Sequence, residues 1–360
     1  MPIILDAMPL RRYSRFYSSI VEEGDPTHES IFLDLKKGLM KFMTSRMAGQ
    51  LSISVKVEGE DAPEPFFISG SRFFALVNAY AELRFEDTVL VTDDGRFDLG
   101  AFRQPGAEDG FPTFKEGLPH SLNIALGSNS PLASAFMTAS AFANKDRESP
   151  HFGVFIKSGH VLGTDRILFF DTPLESSSTD LDLPLPIWLA ISTLPEESVK
   201  VSWGDNRLRI ETPDGNLKIN AAKNESLDAP DPTDPDFRSV FDHPFTAEVS
   251  RKALIDVLSF FDPFLKYAPH GRIKLGTPSE TELSFEVIDG VNAVRRIPAV
   301  VSPELVGDRT LWFSTKNLIR AISNVGKSER IIIGIDYDAV PIDVRDADSD
   351  THVVVSSMEE

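Results

Sequence analysis

The chain has 360 residues, 41% hydrophobic and 25% charged, with 36 Lys and Arg against 55 Asp and Glu for a formal charge of -19; that balance fits a soluble chain with room for two or three domains. Zero cysteines exclude disulfides, thiolate metal sites and cysteine nucleophiles and suit a reducing compartment. No apolar run nears the ~18 residues of a membrane helix, and MPIILDAMPLRR lacks the basic-then-apolar order of a signal peptide, so a cytoplasmic location with no membrane partner is expected. The acidity argues against a nucleic-acid partner on its face, but net charge does not say where the charges sit.

Met8 to Val21 places Leu10, Tyr13, Phe16, Tyr17, Ile20 and Val21 on one side at helical spacing and Arg11, Arg12 and Arg15 on the other. Strands are expected at Ser30–Leu35, Met40–Arg46 and Leu51–Val57, with Lys36-Lys37-Gly38 as the first turn. An acidic loop, Glu58–Pro65, leads to a short strand at Phe66–Ile68. Ser69 or Ser71 caps a helix reaching about Leu83, and Asp93-Asp94-Gly95 joins strands Thr88–Thr92 and Arg96–Phe102. Gly106–Leu118 reads as a linker. The order then recurs: strand Leu122–Leu126, a helix opened by Ser130-Pro131 and reaching about Ala143, and three strands within Ser149–Asp171, reversed at Lys157-Ser158-Gly159 and Gly163-Thr164-Asp165. Leu181–Leu183, a helix over Pro186–Leu194, two strands meeting at Gly204-Asp205-Asn206 and a third at Leu217–Ala221 complete this pass. After a second linker, Ala229–Phe237, come strand Phe245–Val249, a helix from Ser250 to about Phe261, and strands Arg272–Leu275, Glu282–Ile288 and Ala293–Ile297. A strand and helix over Leu311–Val325 follow, then strands Arg330–Asp336, Val340–Val344 and His352–Val355.

Spacing supports a repeat. Gly38 and Gly159 lie 121 residues apart, and the linker pairs Phe111-Pro112 and Asp234-Pro235 lie 123 apart. Three units of about 120 residues fill the chain, giving an α+β fold with expected domains 1–117, 118–240 and 241–360. Windows over the six expected helices (8–21, 70–83, 130–147, 185–194, 250–266, 314–327) carry +8 in all, leaving -27 elsewhere. Lys316, Arg320 and Lys327 fall on one stripe of the last helix, opposite Leu318, Ala321, Ile322 and Val325.

Signatures of catalysis are missing. The histidines at 28, 120, 151, 160, 243, 270 and 352 have no metal-ligand spacing, and there is no phosphate-binding glycine loop, GxSxG elbow or GxGxxG fingerprint. Asp346-Ala347-Asp348-Ser349-Asp350 opens like a calcium loop but lacks the later glycine and glutamate, and is read as a solvated turn. No enzyme activity, cofactor or metal is expected.

The repeat carries motifs that resemble the bacterial-type DNA sliding clamps, the beta subunit of DNA polymerase III. The family's "fP-L-x-GV-lle" strand is similar to Pro150–Ile156, its "ATDgHRL" segment to Gly163-Thr164-Asp165-Arg166-Ile167, its "FPDYRRVLP" to Asp234–Phe241, and its "YVVMPMRL" terminus to His352–Glu360. The family's Gly-His-Arg is shortened to Arg166-Ile167, one of its methionines is Ser356, and its terminal Arg-Leu is Glu359-Glu360. These departures hint at a phage or plasmid member acting in a bacterial or infected host cell.

The resemblance implies three tandem clamp domains, with helices lining the hole of a homodimeric ring and antiparallel sheets outside. Double-stranded DNA, bound without sequence specificity, is the first implied partner; DNA polymerase and clamp loader, engaged through short linear peptides, are the others. DNA-facing residues would be Arg11, Arg12, Arg15, Arg72, Lys145, Arg147, Arg251, Lys252, Lys316, Arg320 and Lys327. The peptide pocket would hold Phe152, Thr164, Arg166, Ile167, Pro235, Val240, Val354 and Met358. Ring closure would join Phe97, Leu99 and Phe102 to Phe260, Phe261, Phe264 and Leu265 of the other subunit. Two rival readings are a β-rich virion-type assembly protein, which has no reason to segregate basic helix faces, and an acidic hydrolase, which should show convergent carboxylates in a deep pocket.

Overall fold

A computed structural model describes residues 3–21, 29–45, 47–57, 63–104, 111, 117–127, 129–174, 179–204, 206–222, 227–235, 239, 241, 243–265, 271–287, 293–337 and 341–358. Among these residues one element order occurs three times: strand, helix, three strands, strand, helix, three strands. The first pass is β1 (Ile3–Asp6), the short helices α1 (Met8–Arg11) and α2 (Ser14–Ile20), β2 (Ser30–Asp34), β3 (Leu39–Met43), β4 (Met47–Ser52), an extra β5 (Val55–Val57), β6 (Phe66–Ser69), α3 (Gly70–Ala79), β7 (Glu82–Glu86), β8 (Val89–Thr92) and β9 (Gly95–Phe97). The second is β10 (His120–Ala125), α4 (Pro131–Phe142), β11 (Gly153–Lys157), β12 (His160–Thr164), β13 (Leu168–Pro173), β14 (Leu181–Pro184), α5 (Leu185–Ile191), β15 (Ser198–Gly204), β16 (Arg207–Glu211) and β17 (Leu217–Ala222). The third is β18 (Phe245–Ser250), α6 (Arg251–Leu265), β19 (Arg272–Ser279), β20 (Glu282–Val287), β21 (Ala293–Val301), β22 (Thr310–Ser314), α7 (Thr315–Asn324), β23 (Arg330–Ile335), β24 (Ile342–Asp346) and β25 (His352–Val355).

The chain forms two compact units, residues 1–133 with 186–225 and residues 134–185 with 226–360. The middle pass contributes to both, so the repeat is one of element order and compactness does not follow it. In the first unit the strands order as β5-β1-β7-β8-β9 and β10-β15-β16-β17-β4-β3-β2-β6. In the second they form one sheet, β14-β11-β12-β13-β25-β24-β23-β18-β21-β20-β19-β22. All pairings between the named strands are antiparallel.

The two larger sheets join consecutive repeats in the same way. β17 pairs with β4, with Leu217 opposite Leu51, and β25 pairs with β13, with Val354 opposite Phe169. In both cases the last strand of one repeat meets the third strand of the preceding repeat's other strand group.

Aromatic side chains fix the helices to one another and to the sheets. In the first unit Tyr17 stacks on Phe74 at 4.6 Å, with Phe73 fully buried beside them; in the second, Phe142 of α4 stacks on Phe170 of β13 at 5.6 Å. Burying one such ring contributes about 1.5–3 kcal/mol. α4 approaches so closely that a Cβ at Gly163 would lie 2.2 Å from the Ala139 carbonyl oxygen, which makes glycine mandatory there. The expected helix caps are present: Ser69 Oγ accepts from the Arg72 amide and Ser130 Oγ from the Ala133 amide.

Several expected boundaries shift. The first helix breaks at Arg12-Tyr13, α3 stops at Ala79, and the residues assigned to its last turn instead begin β7, whose alternating burial buries Leu83 and Phe85. Leu51–Val57 divides between β4 and β5, which belong to different sheets. β9 ends at Phe97, well short of Phe102. β1 was not anticipated, because IILD is too short to show a period.

Candidate functional site

The stretch Ser149–Asp171 builds a cavity. Its second reversal, Thr164–Leu168, is held by its own side chains. Thr164 Oγ1 donates to the Leu168 carbonyl at 2.9 Å and accepts from the Arg166 amide at 3.0 Å; Asp165 Oδ1 accepts from the amides of Ile167 and Leu168 at 3.0 and 2.8 Å. These bonds hold Arg166 at φ 76°, the left-handed region that glycine takes most easily. On the other side of β13 the chain's C-terminal strand closes the wall, with the Ser356 amide donating to the Ile167 carbonyl at 2.9 Å. The result is a cavity of about 340 Å³ lined by His151, Thr164, Arg166, Ile167, Leu168, Phe169, Pro230, Pro341, Val354 and Ser356. Ile167 is 50% exposed at its lip.

Of the sequence-predicted pocket residues, Thr164, Arg166, Ile167 and Val354 meet here. Phe152 does not line the cavity: it is buried beneath it, in a core with Phe155, Leu162, Phe169, Phe241 and Val354. Pro235 is exposed away from the cavity, and the Met358 amide bonds to the Trp312 carbonyl at 2.7 Å instead. Val240 lies outside the described residues. Sequence reasoning missed His151, Leu168, Phe169, Pro230, Pro341 and Ser356 as lining residues. His151 stood within the quoted motif, but its Nδ1 contact to the Asp228 carbonyl at 2.9 Å joins residues 77 apart, which no local pattern displays.

The cations expected on DNA divide into two groups. Arg251 is a correction: its side chain is 15% exposed, donates to the carbonyls of Ser328 and Ile322, and pairs with Asp346 at 3.1 Å. Burial draws its pKa down, and Asp346 partly restores it. Arg320 is another correction. Its guanidinium donates to the Ala141 carbonyl, pairs with Asp165 Oδ2 at 2.5 Å and lies over the Phe142 ring at 5.3 Å. Arg11 donates to the Val77 carbonyl at 2.9 Å. Arg12 bonds to Tyr13 Oη and lies 3.7 Å from Glu196 and 3.6 Å from Asp214. Tyr13 is held well above its ordinary pKa by burial and by the hydrogen bond its hydroxyl donates to Glu196.

Arg15, Arg72, Lys252, Lys316, Lys327, Lys145 and Arg147 are exposed and pair with no described carboxylate. Lys145 and Arg147 are not on a helix, since α4 ends at Phe142, and Lys327 lies beyond the end of α7 at Asn324. Neither α4 nor α5 contains a charged residue.

The proposed contact residues divide similarly. Leu99, Phe261 and Leu265 are 2%, 0% and 8% exposed and belong to the core, a correction to their expected place at an interface. Phe102 stacks on Phe67 at 4.9 Å with its outer face open, and Phe97 is half-buried on β9. Phe260 is exposed beneath the Arg295 guanidinium, 3.7 Å from its ring, with Phe264 at 5.4 Å.

No described helix is long and apolar enough to cross a membrane, and no group of three or more described His, Asp or Glu residues has the arrangement of a metal site. The carboxylates that a hydrolase would need are absent from the cavity's described lining.

No protein-family model and no curated protein matches the chain. Solved structures do. The DNA polymerase III beta subunit of Thermotoga maritima superposes with a TM-score of 0.78 at 14% identity, covering 100% of this chain and 99% of that one. The beta chain from Streptococcus pneumoniae gives 0.78 at 15%, and the sliding clamp of Pseudomonas aeruginosa bound to griselimycin gives 0.77 at 16%, both covering 100% of each chain. Along its whole length, then, this chain has the α+β fold of the DNA polymerase III beta-subunit sliding clamps.

Proposed function

We propose that this chain is a divergent, non-enzymatic member of the sliding-clamp family: a homodimeric ring of three clamp domains per subunit that encircles duplex DNA and tethers a polymerase. The pattern of strand junctions carries this reading. Two of the three possible junctions lie within the chain, β17 on β4 and β25 on β13. The same rule pairs β9 with β21, and each of these has an edge with no described partner: β9 beyond β8, and β21 over Ala293–Pro298 beyond β20. Open edges of this kind are templates for a further strand. A second copy satisfies both at once, because β9 of each subunit meets β21 of the other and the assembly closes. Charge supports the match: β21 presents Val294, Arg295 and Arg296, while β9 follows Asp93 and Asp94 and its own Arg96 is paired with Glu86 at 2.7 Å. Phe102 and Phe260 then flank the seam.

Inside such a ring, Arg15, Arg72, Lys252 and Lys316 supply sequence-independent attraction to phosphates, which lets a duplex slide without register. The cavity at Thr164, Ile167, Phe169 and Val354 takes apolar side chains of a short peptide from polymerase or clamp loader. The function places the protein in the cytoplasm of a bacterium, or of a host infected by a phage that encodes it. Sedimentation tests the assembly: the mass should be about twice the 39.8 kDa of one chain, and Val294→Asp with Phe260→Asp should return it to one. A monomer at every concentration rejects the ring.

A further inference from the structure

The apolar lining of the cavity does not account for Arg166. This side chain is exposed at the rim, pairs with no described carboxylate, and belongs to a chain with a formal charge of -19. Its sequence neighbour Asp165 cannot neutralise it, because that carboxylate is already committed. One oxygen accepts from the amides of Ile167 and Leu168, and the other is paired from behind by Arg320 at 2.5 Å. Arg320 is itself anchored on the Ala141 carbonyl at the end of α4. An α7 cation thus neutralises the carboxylate next to Arg166 in sequence, and the rim keeps the charge of Arg166.

The backbone adds a second observation. At φ 76° an arginine costs about 1 kcal/mol relative to glycine, which takes that conformation freely. A strained, unpaired arginine at the mouth of a cavity points to a use for its side chain. His151 lines the same cavity, and no described carboxylate does.

We infer that the occupant is a peptide segment of a partner protein carrying a carboxylate beside its apolar side chains, and that Arg166 selects it. Arg320, acting through Asp165, is a positioning residue that displays Arg166. The inference rests on the reading of the cavity as a peptide pocket.

The test uses the full chain and two pairs of fluorescein-labelled peptides, Asp-Leu-Gly-Leu-Phe and Leu-Gly-Leu-Phe-Asp, each with its Asn counterpart, followed by fluorescence anisotropy. At least one Asp peptide should bind about fivefold more tightly than its Asn partner, the range of a partly exposed charge pair, and the margin should shrink with salt. Arg166→Gly, which relieves the backbone and removes the cation, should abolish the margin. Arg166→Glu should reverse it in favour of the Asn peptide. Equal affinities in the wild-type protein, or a margin that survives Arg166→Gly, overturn the carboxylate selection while leaving a peptide pocket in place. If no peptide binds, the pocket reading falls and this inference falls with it.

Discussion

The helices of the outer repeats and those of the middle repeat occupy equivalent places in the element order, but all the outer ones carry cations and the middle ones carry no charged residue at all. α1, α2, α3, α6 and α7 carry Arg11, Arg15, Arg72, Arg251, Lys252, Lys316 and Arg320, whereas α4 and α5 read PLASAFMTASAF and LPIWLAI. Within the outer group a second contrast appears. Arg251 and Arg320 are consumed by Asp346 and Asp165, while Arg15, Arg72, Lys252 and Lys316 remain exposed. A cation on a helix is therefore not yet a phosphate ligand. In the proposed ring, only the cations that no nearer acid holds are left for phosphate.

The largest expected effect breaks that contrast from the buried side. Arg251→Met leaves Asp346, 5% exposed, without its cation and should cost about 3–5 kcal/mol in denaturant unfolding. Arg15→Met should change stability by less than about 0.5 kcal/mol. Next comes DNA. Removing Arg15, Arg72, Lys252 and Lys316 together should weaken retention on duplex DNA by at least about tenfold at low salt, and each lost contact should reduce the salt slope by about 0.9. Arg320→Ala should leave that slope unchanged. A slope that drops with Arg320→Ala would return this residue to the DNA path.

The reverse experiment sharpens the difference between repeats. Thr138→Lys with Ser134→Lys puts cations on the uncharged α4 and should steepen the salt dependence if that face meets DNA. The smallest effect concerns pH. Burial tends to raise the Asp214 pKa, but hydrogen bonds from Thr212 and Asn216 and the nearby Arg12 outweigh it and hold the group below its ordinary 3.8. Such a group stabilises the fold above about pH 4 and loses that contribution as pH falls through its lowered value. Asp214→Asn should thus melt below wild type at pH 7, with the two curves converging as the pH falls through the group's lowered pKa.

Much of the fold was legible because its signals are local. Gly38 and Gly159 both take positive φ, at 62° and 82°, in the equivalent turns β2–β3 and β11–β12, so their spacing of 121 residues reported a structural repeat. The caps at Ser69 and Ser130 were equally readable. The site was legible only in part. Thr164, Arg166 and Ile167 fall in one motif, but their wall is completed by Pro230, Pro341 and Ser356, which arrive from distant sequence. Arg320 shows the limit most clearly. On a helical stripe with Lys316 it reads as surface charge, and only the packing of α7 beside Asp165 reveals it as a strut. Leu99 and Phe261 show the same limit, since hydrophobicity marks core and interface alike.

The claim that the chain closes into a ring around DNA can be tested most directly by topology. Protein assembled on nicked circular duplex at high concentration, then passed through gel filtration at high salt, should stay with the circle and be lost once the circle is cut open. Equal loss from circular and linear DNA would contradict the account, as would retention that linearisation leaves unchanged.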